Sequence, residues 1–453
     1  MKSELYNYRI FPMIFPAGDE VTLTVKPLGD HAAFRGEYHI SVHRLDAGSP
    51  RPDGCYAYNR ADYDVSPDED GCLRITYTAA SEGEHFVRVF KDDRRVFQLP
   101  VYALDEDLAC RIPLRGDLHM HTCRSDGREA PAIVCANYRR LGYDFIVVTD
   151  HGRYYPSLEA MQAYKDVNIA LNILPGEEVH LPETDTHIVN AGGLFSVNGL
   201  LQSSANWRET DGADDKRKLD DTVNAPAIIS AEQYKAQIDA VEASLTDVPD
   251  KLNTRWYAVT SWAYNKIREA DGLAIFAHPY WISDMWQMPE VFTRYTLEKH
   301  EFDAFEVLGG ENYYEQNGFQ TAIYYDEYRQ GRVHPIVGST DSHGSTEHNR
   351  NADICSTIVF APANERKAIL TAIKERYSVA VDTISKEYRI VGEFRLQKYA
   401  SFLMENYFPL HDRQAALDGE LMREYVLGTA TKEEVELISV RAEKLTNSLI
   451  LKK

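Results

Sequence analysis

The sequence predicts an α/β domain of parallel strands, preceded by a small all-β sandwich and followed by a helical C-terminal appendage. Three observations predict it: a change of hydrophobic period near residue 115, strand candidates that end in histidine or acid, and a helical pattern over 393–451. Residues 8–110 carry alternating or β-branched runs: EVTLTVKP (20–27), EYHISVHRL (37–45), LRITYTA (73–79), EHFVRVFKD (84–92) and RVFQLPVYAL (95–104). Turn-rich stretches such as DAGSPRPDG (46–54) and SPDEDG (66–71) separate them, as in a small sandwich. His31, His39, His43 and His85 fall here without ligand spacing and read as surface or strand-face residues.

From residue 115 short apolar runs alternate with amphipathic ones, the signature of βα units. Strands are predicted over 116–121, 145–149, 170–176, 187–191, 273–277, 303–307 and 335–340. Helices are predicted over 130–141, 157–166, 230–245, 254–270, 289–300, 317–329 and 363–377, with Ser230 and Gln233 at capping-box spacing. The stretch 196–229, which includes RETDGADDKRKLDD (208–221), is too polar and too long for an ordinary connection. It reads as an insertion, extending to about residue 260, or as a lid. The expected division is 1–112, 113–390 and 391–453.

Composition narrows the function. The chain has 453 residues, 70 acidic and 49 basic, for a formal charge of −21. Its apolar and charged fractions are those of an ordinary globular protein. So acidic a chain is repelled by a phosphate backbone, which argues against long nucleic acids as partners. No apolar run is long enough to span a bilayer, and MKSELYNYRIFPMIFPAGDE lacks the plan of a secretory signal. Six cysteines without paired spacing suit reduced thiols, so a cytoplasmic protein is expected.

The chemistry lies at the strand ends. In RGDLHMHTCRSDG (115–127), Asp117, His119 and His121 share one face of a strand. Two imidazoles at i, i+2 can grip one ion, with Asp117 placed to orient them. FIVVTDH ends in Asp150 and His151, and LNILPGEEVH in Glu177, Glu178 and His180. THIVNAGG carries His187, GLAIFAHPY His278, AFEVLGG Glu306, and PIVGSTDSH both Asp341 and His343. In a closed barrel such ends meet around one mouth. Mixed nitrogen and oxygen ligands without thiolate suit Zn, Mn or Fe, and their number implies two or three divalent ions. Clustered ions activate a water and clamp a transferring phosphoryl group.

DLHMHTCRSDG, VVTDHG, PGEE, FAHP and GSTDSH, in this order over about residues 115–385, resemble the motifs of the PHP (polymerase and histidinol phosphatase) superfamily of metal-dependent phosphoesterases. The resemblance implies a distorted (β/α)7 TIM-like barrel. It implies that His119, His121, Glu178 and Asp341 hold one ion, and that Glu178, His187 and His278 hold a second. Asp126, His151 and His343 would surround a third. Glu177 stands as an alternative to Glu178, and His180 to His187. Glu306 reads equally as a supporting group and as a salt-bridged structural acid.

The expected activity is hydrolysis of a small phosphorylated substrate, a phosphomonoester or nucleotide, by a metal-activated water. His343 or His151 would protonate the leaving oxygen, with Asp341 a further catalytic group. Arg124, Arg153 and Arg350 are candidate phosphate forks, and Tyr280 and Trp281 candidate pocket walls. Amide or lactone hydrolysis, a nuclease acting on short oligonucleotides, and a binding scaffold are the alternatives. The sandwich and tail suggest an oligomer only faintly.

Overall fold

The structure, a computed structural model, describes residues 3–201, 221–282, 284–309, 314–346, 352–383 and 389–453. Most of the charge-dense insertion (202–220) and Arg350 lie outside the described residues. The chain forms a mixed α/β protein of two compact units. One comprises Met1–Ile112, Phe394–Gln414 and Val440–Lys453, the other Pro113–Glu393 and Ala415–Ser439. No described helix is long and apolar enough to cross a membrane.

The first unit holds, besides a two-stranded pairing of Ser49–Pro50 with Tyr56–Ala57, two larger antiparallel-rich sheets. Tyr8–Phe11, Glu20–Pro27 and Leu73–Thr78 form one; Ile14–Pro16, Arg94–Leu104, Gly83–Lys91, Tyr38–Arg44 and Arg60–Val65 form the other, in that spatial order. Alternating burial along Glu20–Pro27 and Gly83–Lys91 puts one face of each sheet in the core. His43 and His85 are buried rather than on the surface. The helical tail is not one separate body. The backbone N–H of Leu451 donates to Ile14 O (2.9 Å), and Arg395 forks onto Glu82 and Asp107, all within this unit.

The second unit contains β1 (Ile112–Asp117), β2 (Phe145–Val147), β3 (Asn172–Leu174), β4 (Gly176–Val179), β5 (Ile188–Ala191), β6 (Leu273–Phe276), β7 (Ala304–Leu308), β8 (Ile336–Gly338), β9 (Cys355–Ala361), β10 (Ser378–Asp382) and β11 (Arg389–Val391). They form two sheets, ordered β3-β2-β1-β9-β10-β11 and β4-β5-β6-β7-β8. The expected single ring of seven parallel strands is not found among the described residues. The strand expected over 170–176 is split at Pro175, which has no N–H to give a ladder. Its halves, β3 and β4, enter different sheets. β5 runs antiparallel to both β4 and β6. Only residues 180–187 separate β4 from β5, too few for the crossover that parallel pairing needs.

The carboxyl ends of the two sheets are joined by single parallel bridges, Met120 to Ser342 and His151 to Glu178. Asp341 N donates to His119 O (2.9 Å) and Gly152 N to Glu178 O (2.8 Å). Helices Pro131–Arg140, Tyr155–Ala163, Ala231–Ala243, Thr254–Glu269, Glu290–Lys299, Tyr314–Arg329 and Arg366–Lys374 fall within a few residues of expectation. Ser230 and Gln233 form the capping box. Aromatic rings of Tyr257, Tyr264, Phe276, Phe292 and Phe305 fill the core beside β6 and β7.

Gly176 fixes how closely β4 approaches its neighbours. A Cβ there would lie 2.3 Å from Val147 Cγ1 and 2.7 Å from Asn190 O. Gly176→Ala is therefore expected to cost about 1–3 kcal/mol through overpacking. It should also lower metal content, because Glu178 lies two residues on. Thermal unfolding and elemental analysis check both, and an unchanged Tm would contradict the packing argument.

Candidate metal centre

The residues at the joined strand ends converge on Glu178. Its Oε2 lies 3.5 Å from His119 Nε2, 3.6 Å from His121 Nε2 and 3.4 Å from His180 Nε2, and also contacts His151 Nδ1. Its Oε1 lies 2.7 Å from His187 Nδ1 and 3.9 Å from His278 Nε2. Asp341 Oδ1 completes one side, 3.3 Å from His119 Nε2 and 2.8 Å from His121 Nε2. Its Oδ2 lies 3.6 Å from His278 Nε2. A third grouping gathers His121, Asp126, His151 and His343. There Asp126 Oδ2 lies 3.4 Å from His151 Nε2 and 3.3 Å from His343 Nε2.

Burial makes this a demanding arrangement. Glu178 and His119 are fully buried, and His121 and His278 almost so. Both oxygens of Glu178, both nitrogens of His278 and Nε2 of His119 have no hydrogen-bond partner among the described residues. Buried polar atoms without partners are costly unless something else satisfies them. Carboxylate oxygens and imidazole nitrogens aimed at common points fit divalent cations.

The electrostatics carry the same imprint. Burial pushes the His278 imidazolium down to about 3, despite the pull of Asp341. Burial pushes His121 down to about 3 as well, aided by His151 and His343. Burial would likewise lower His119, but Asp341, Glu178 and Glu306 hold it well above its ordinary value. Burial alone would raise the Asp126 carboxyl, yet hydrogen bonds to His151 and His343 hold it far below the usual range. For His343, the pull of Asp126 and Asp341 outweighs burial and lifts it to about 8.

The neighbouring acids divide the work. Glu306 Oε2 lies 3.1 Å from His119 Nδ1, so this acid orients a candidate ligand from behind. Asp117, expected in that role, is spent elsewhere. It accepts from Thr340 Oγ1 (2.6 Å) and from the backbone N–H groups of Thr340 and His119. Asp150 accepts from Thr122 and Ser125 and shapes the 121–126 loop. Glu177 points away from the histidines and accepts from Asn190, Ser196, Val197 and Asn198. Glu178 is thus the acid at the centre, whereas His180 and His187 both face it.

The candidate substrate groups separate. Arg124 is not poised as a phosphate fork: its Nε and Nη2 donate to Glu159 at 2.8 and 2.7 Å. Arg153 is 9% exposed, and its Nε has no hydrogen-bond partner among the described residues. Trp281 lies beside the cluster, its ring 6.3 Å from that of His187. Tyr280 is not a wall of this site. Its hydroxyl donates to Glu290, and it lines a separate cavity of about 330 Å³ with Trp286, Arg294 and Phe319. One contributor, Asn198, lacks a sequence signal because it lies inside the polar insertion. Glu306 stands out in the sequence as a strand-end acid, but its pairing with His119, 187 positions away, is not legible there.

Fold and site together define a mixed α/β protein with clusters of His, Asp and Glu that could hold metal. No family model and no curated protein matches the chain. Among solved structures it is similar to a two-domain protein from Bacteroides vulgatus containing a predicted PHP-like metal-dependent phosphoesterase, at 16% identity and TM-score 0.37. That match covers 60% of this chain and 65% of the other, just under two thirds of its length. It is also similar to a protein from Bifidobacterium adolescentis provisionally assigned as a metal-dependent phosphoesterase (20% identity, TM-score 0.33, covering 52% of this chain and 89% of that one). A third is an amidohydrolase from Chromobacterium violaceum with bound sulfate and no metal (17% identity, TM-score 0.30, covering 52% and 89%). PHP-like metal-dependent phosphoesterases are thus among the solved structures this chain resembles.

Proposed function

We propose that the chain is a metal-dependent phosphoesterase that hydrolyses a small phosphorylated substrate at a di- or trinuclear site where the ends of the two sheets of its second unit meet. The observation that carries this reading is the gathering of six imidazoles around the two oxygens of Glu178, with Asp341 closing one side. His119, His121, Glu178 and Asp341 would hold one ion, Glu178, His187 and His278 a second, and Asp126, His151 and His343 a third. The mixed nitrogen and oxygen, thiolate-free set suits Zn, Mn or Fe. Bound there, such ions polarise a phosphoryl group and make water a nucleophile near neutral pH.

The chain's own residues supply the rest. Arg153, buried with no carboxylate partner among the described residues and two positions from His151, supports recognition of an anionic oxygen. Trp281 offers a flat wall for the group that leaves. His343 is the most open histidine of the third grouping, with a side chain 30% exposed. Lifted to about 8 where no ion is bound, it would donate a proton to the leaving oxygen only if it is not taken up as a ligand of the third ion. Glu306 keeps His119 oriented through Nδ1.

The test is phosphate release by Mn- or Zn-loaded protein over sugar phosphates, nucleotides, 3′,5′-bisphosphates, phosphodiesters and short oligonucleotides. Release from one class is expected, sensitive to vanadate and absent from His278→Ala. Silence across the panel from metal-replete protein, with turnover of amides or lactones instead, would overturn the phosphoester assignment.

A further inference from the structure

His180 is the one imidazole touching Glu178 that none of the three proposed ion positions uses. It sits in a chain of contacts of its own. Its Nε2 lies 2.8 Å from His151 Nδ1, and the two rings are nearly perpendicular with centroids 4.7 Å apart. Its backbone N–H donates to Asn198 Oδ1 at 3.2 Å. Asn198 is 2% exposed, and its Nδ2 donates to Glu177 Oε2 at 3.0 Å. Glu177 also accepts from Ser196 Oγ (2.9 Å) and Val197 N (2.5 Å). The first residues of the insertion are thus tied to β4 on both sides of Glu178.

The two nitrogens of His151 have different partners. Nε2 faces Asp126, the acid it shares with His343. Nδ1 faces Glu178 and His180. An imidazole that gives Nε2 to an ion keeps a proton on Nδ1, and that N–H needs an acceptor to fix the ring. Glu178 Oε2 is already shared among His119, His121 and the ion they would hold. The acceptor left is His180 Nε2.

We propose that His180 and Asn198 are positioning residues for the third ion. Asn198 fixes the His180 backbone, and the His180 ring accepts the Nδ1–H of His151 so that Nε2 is presented to Asp126 and His343. This rests on the metal-dependent reading above and assigns a task to the first residues of the insertion. Losing such an orienting partner weakens an ion about 10- to 100-fold without removing a ligand.

The experiment counts ions rather than turnover. Full-length wild type, His180→Ala, His180→Gln and Asn198→Ala are loaded with Mn²⁺ or Zn²⁺, dialysed and analysed for metal per chain, with the weakest site titrated calorimetrically. Wild type is expected to keep three ions. His180→Ala and Asn198→Ala should keep two and rebind the third about 10- to 100-fold more weakly. His180→Gln, whose amide oxygen can accept the same N–H, should recover part of the loss. Asn198→Ala leaves every imidazole in place, so it tests the idea even where His180→Ala folds poorly. Three tightly held ions in both alanine variants would overturn the proposal and leave the metal centre standing. Loss of every ion in both would also overturn it, by making the two residues supports of the whole site. A wild type holding only two ions would remove the third position and the proposal with it. A wild type binding none would overturn the metal reading as well.

Discussion

Glu178→Gln is expected to abolish phosphate release while leaving the fold intact. Glutamine keeps the shape of the side chain and removes its charge, and β4 remains paired with β5 through the backbone. Yet both oxygens of Glu178 face imidazoles, so each ion site they serve loses a carboxylate ligand, and the second loses its only one. Removing several kcal/mol of transition-state stabilisation corresponds to a fall of about 10³-fold or more. A second readout separates a chemical effect from a folding one. Wild type should gain stability on metal loading, by about 2.7 kcal/mol at one hundred times Kd. In Glu178→Gln the share of that gain that comes from the two positions sharing Glu178 should vanish. The metal-free variant should melt at or above wild type, because a buried carboxylate has been replaced by a neutral group. Near-normal turnover with an intact metal-induced shift would show that Glu178 is not the bridge.

Much of this site was legible because its residues stand at ends of short apolar runs, and strand ends are where α/β domains gather function. His119 and His121 at i, i+2 share a strand face by alternation, and His278, Asp341 and His343 follow short apolar runs, while their grouping as ligands comes from the resemblance to the PHP motifs. What sequence could not separate were neighbours in one strand. Glu177 and Glu178 differ only in which face each presents, and a one-residue shift exchanges them. Pro175 decides that by ending β3 and letting β4 start in the other sheet. The fold was missed at the same place. A hairpin between β4 and β5 looks, in composition, like two parallel strands. The tail was legible as helix, but not in its contacts: Phe408–Val426 and Lys432–Leu449 each divide between the two units.

That tail supplies the largest expected effect on stability. Arg139 lies on helix Pro131–Arg140 with a side chain 1% exposed. Its Nε donates to Asp418 Oδ2 at 2.7 Å, and its Nη1 to Asp144 Oδ1 at 3.0 Å and Tyr143 O at 2.9 Å. Asp418 is fully buried and also accepts from Ser439 Oγ at 2.7 Å. Asp144 Oδ2 accepts the backbone N–H of Arg115, on the strand that leads to His119 and His121. Replacing Arg139 by Met removes the only guanidinium that the described contacts place on both acids, and strands Asp418 without a counter-charge. Breaking a buried pair from one side costs about 3–5 kcal/mol. For a unit of this size that is a fall in Tm of roughly 5–8 °C. The double replacement Arg139→Met with Asp418→Leu should recover much of it, because an apolar pair of similar volume avoids the desolvation of both charges. Equal Tm values for the single and double variants would mean that packing, not the stranded carboxylate, sets the loss. Since Arg115 and Asp144 tie the same network to β1, the single variant should also hold its ions less tightly than wild type, at temperatures where both are folded.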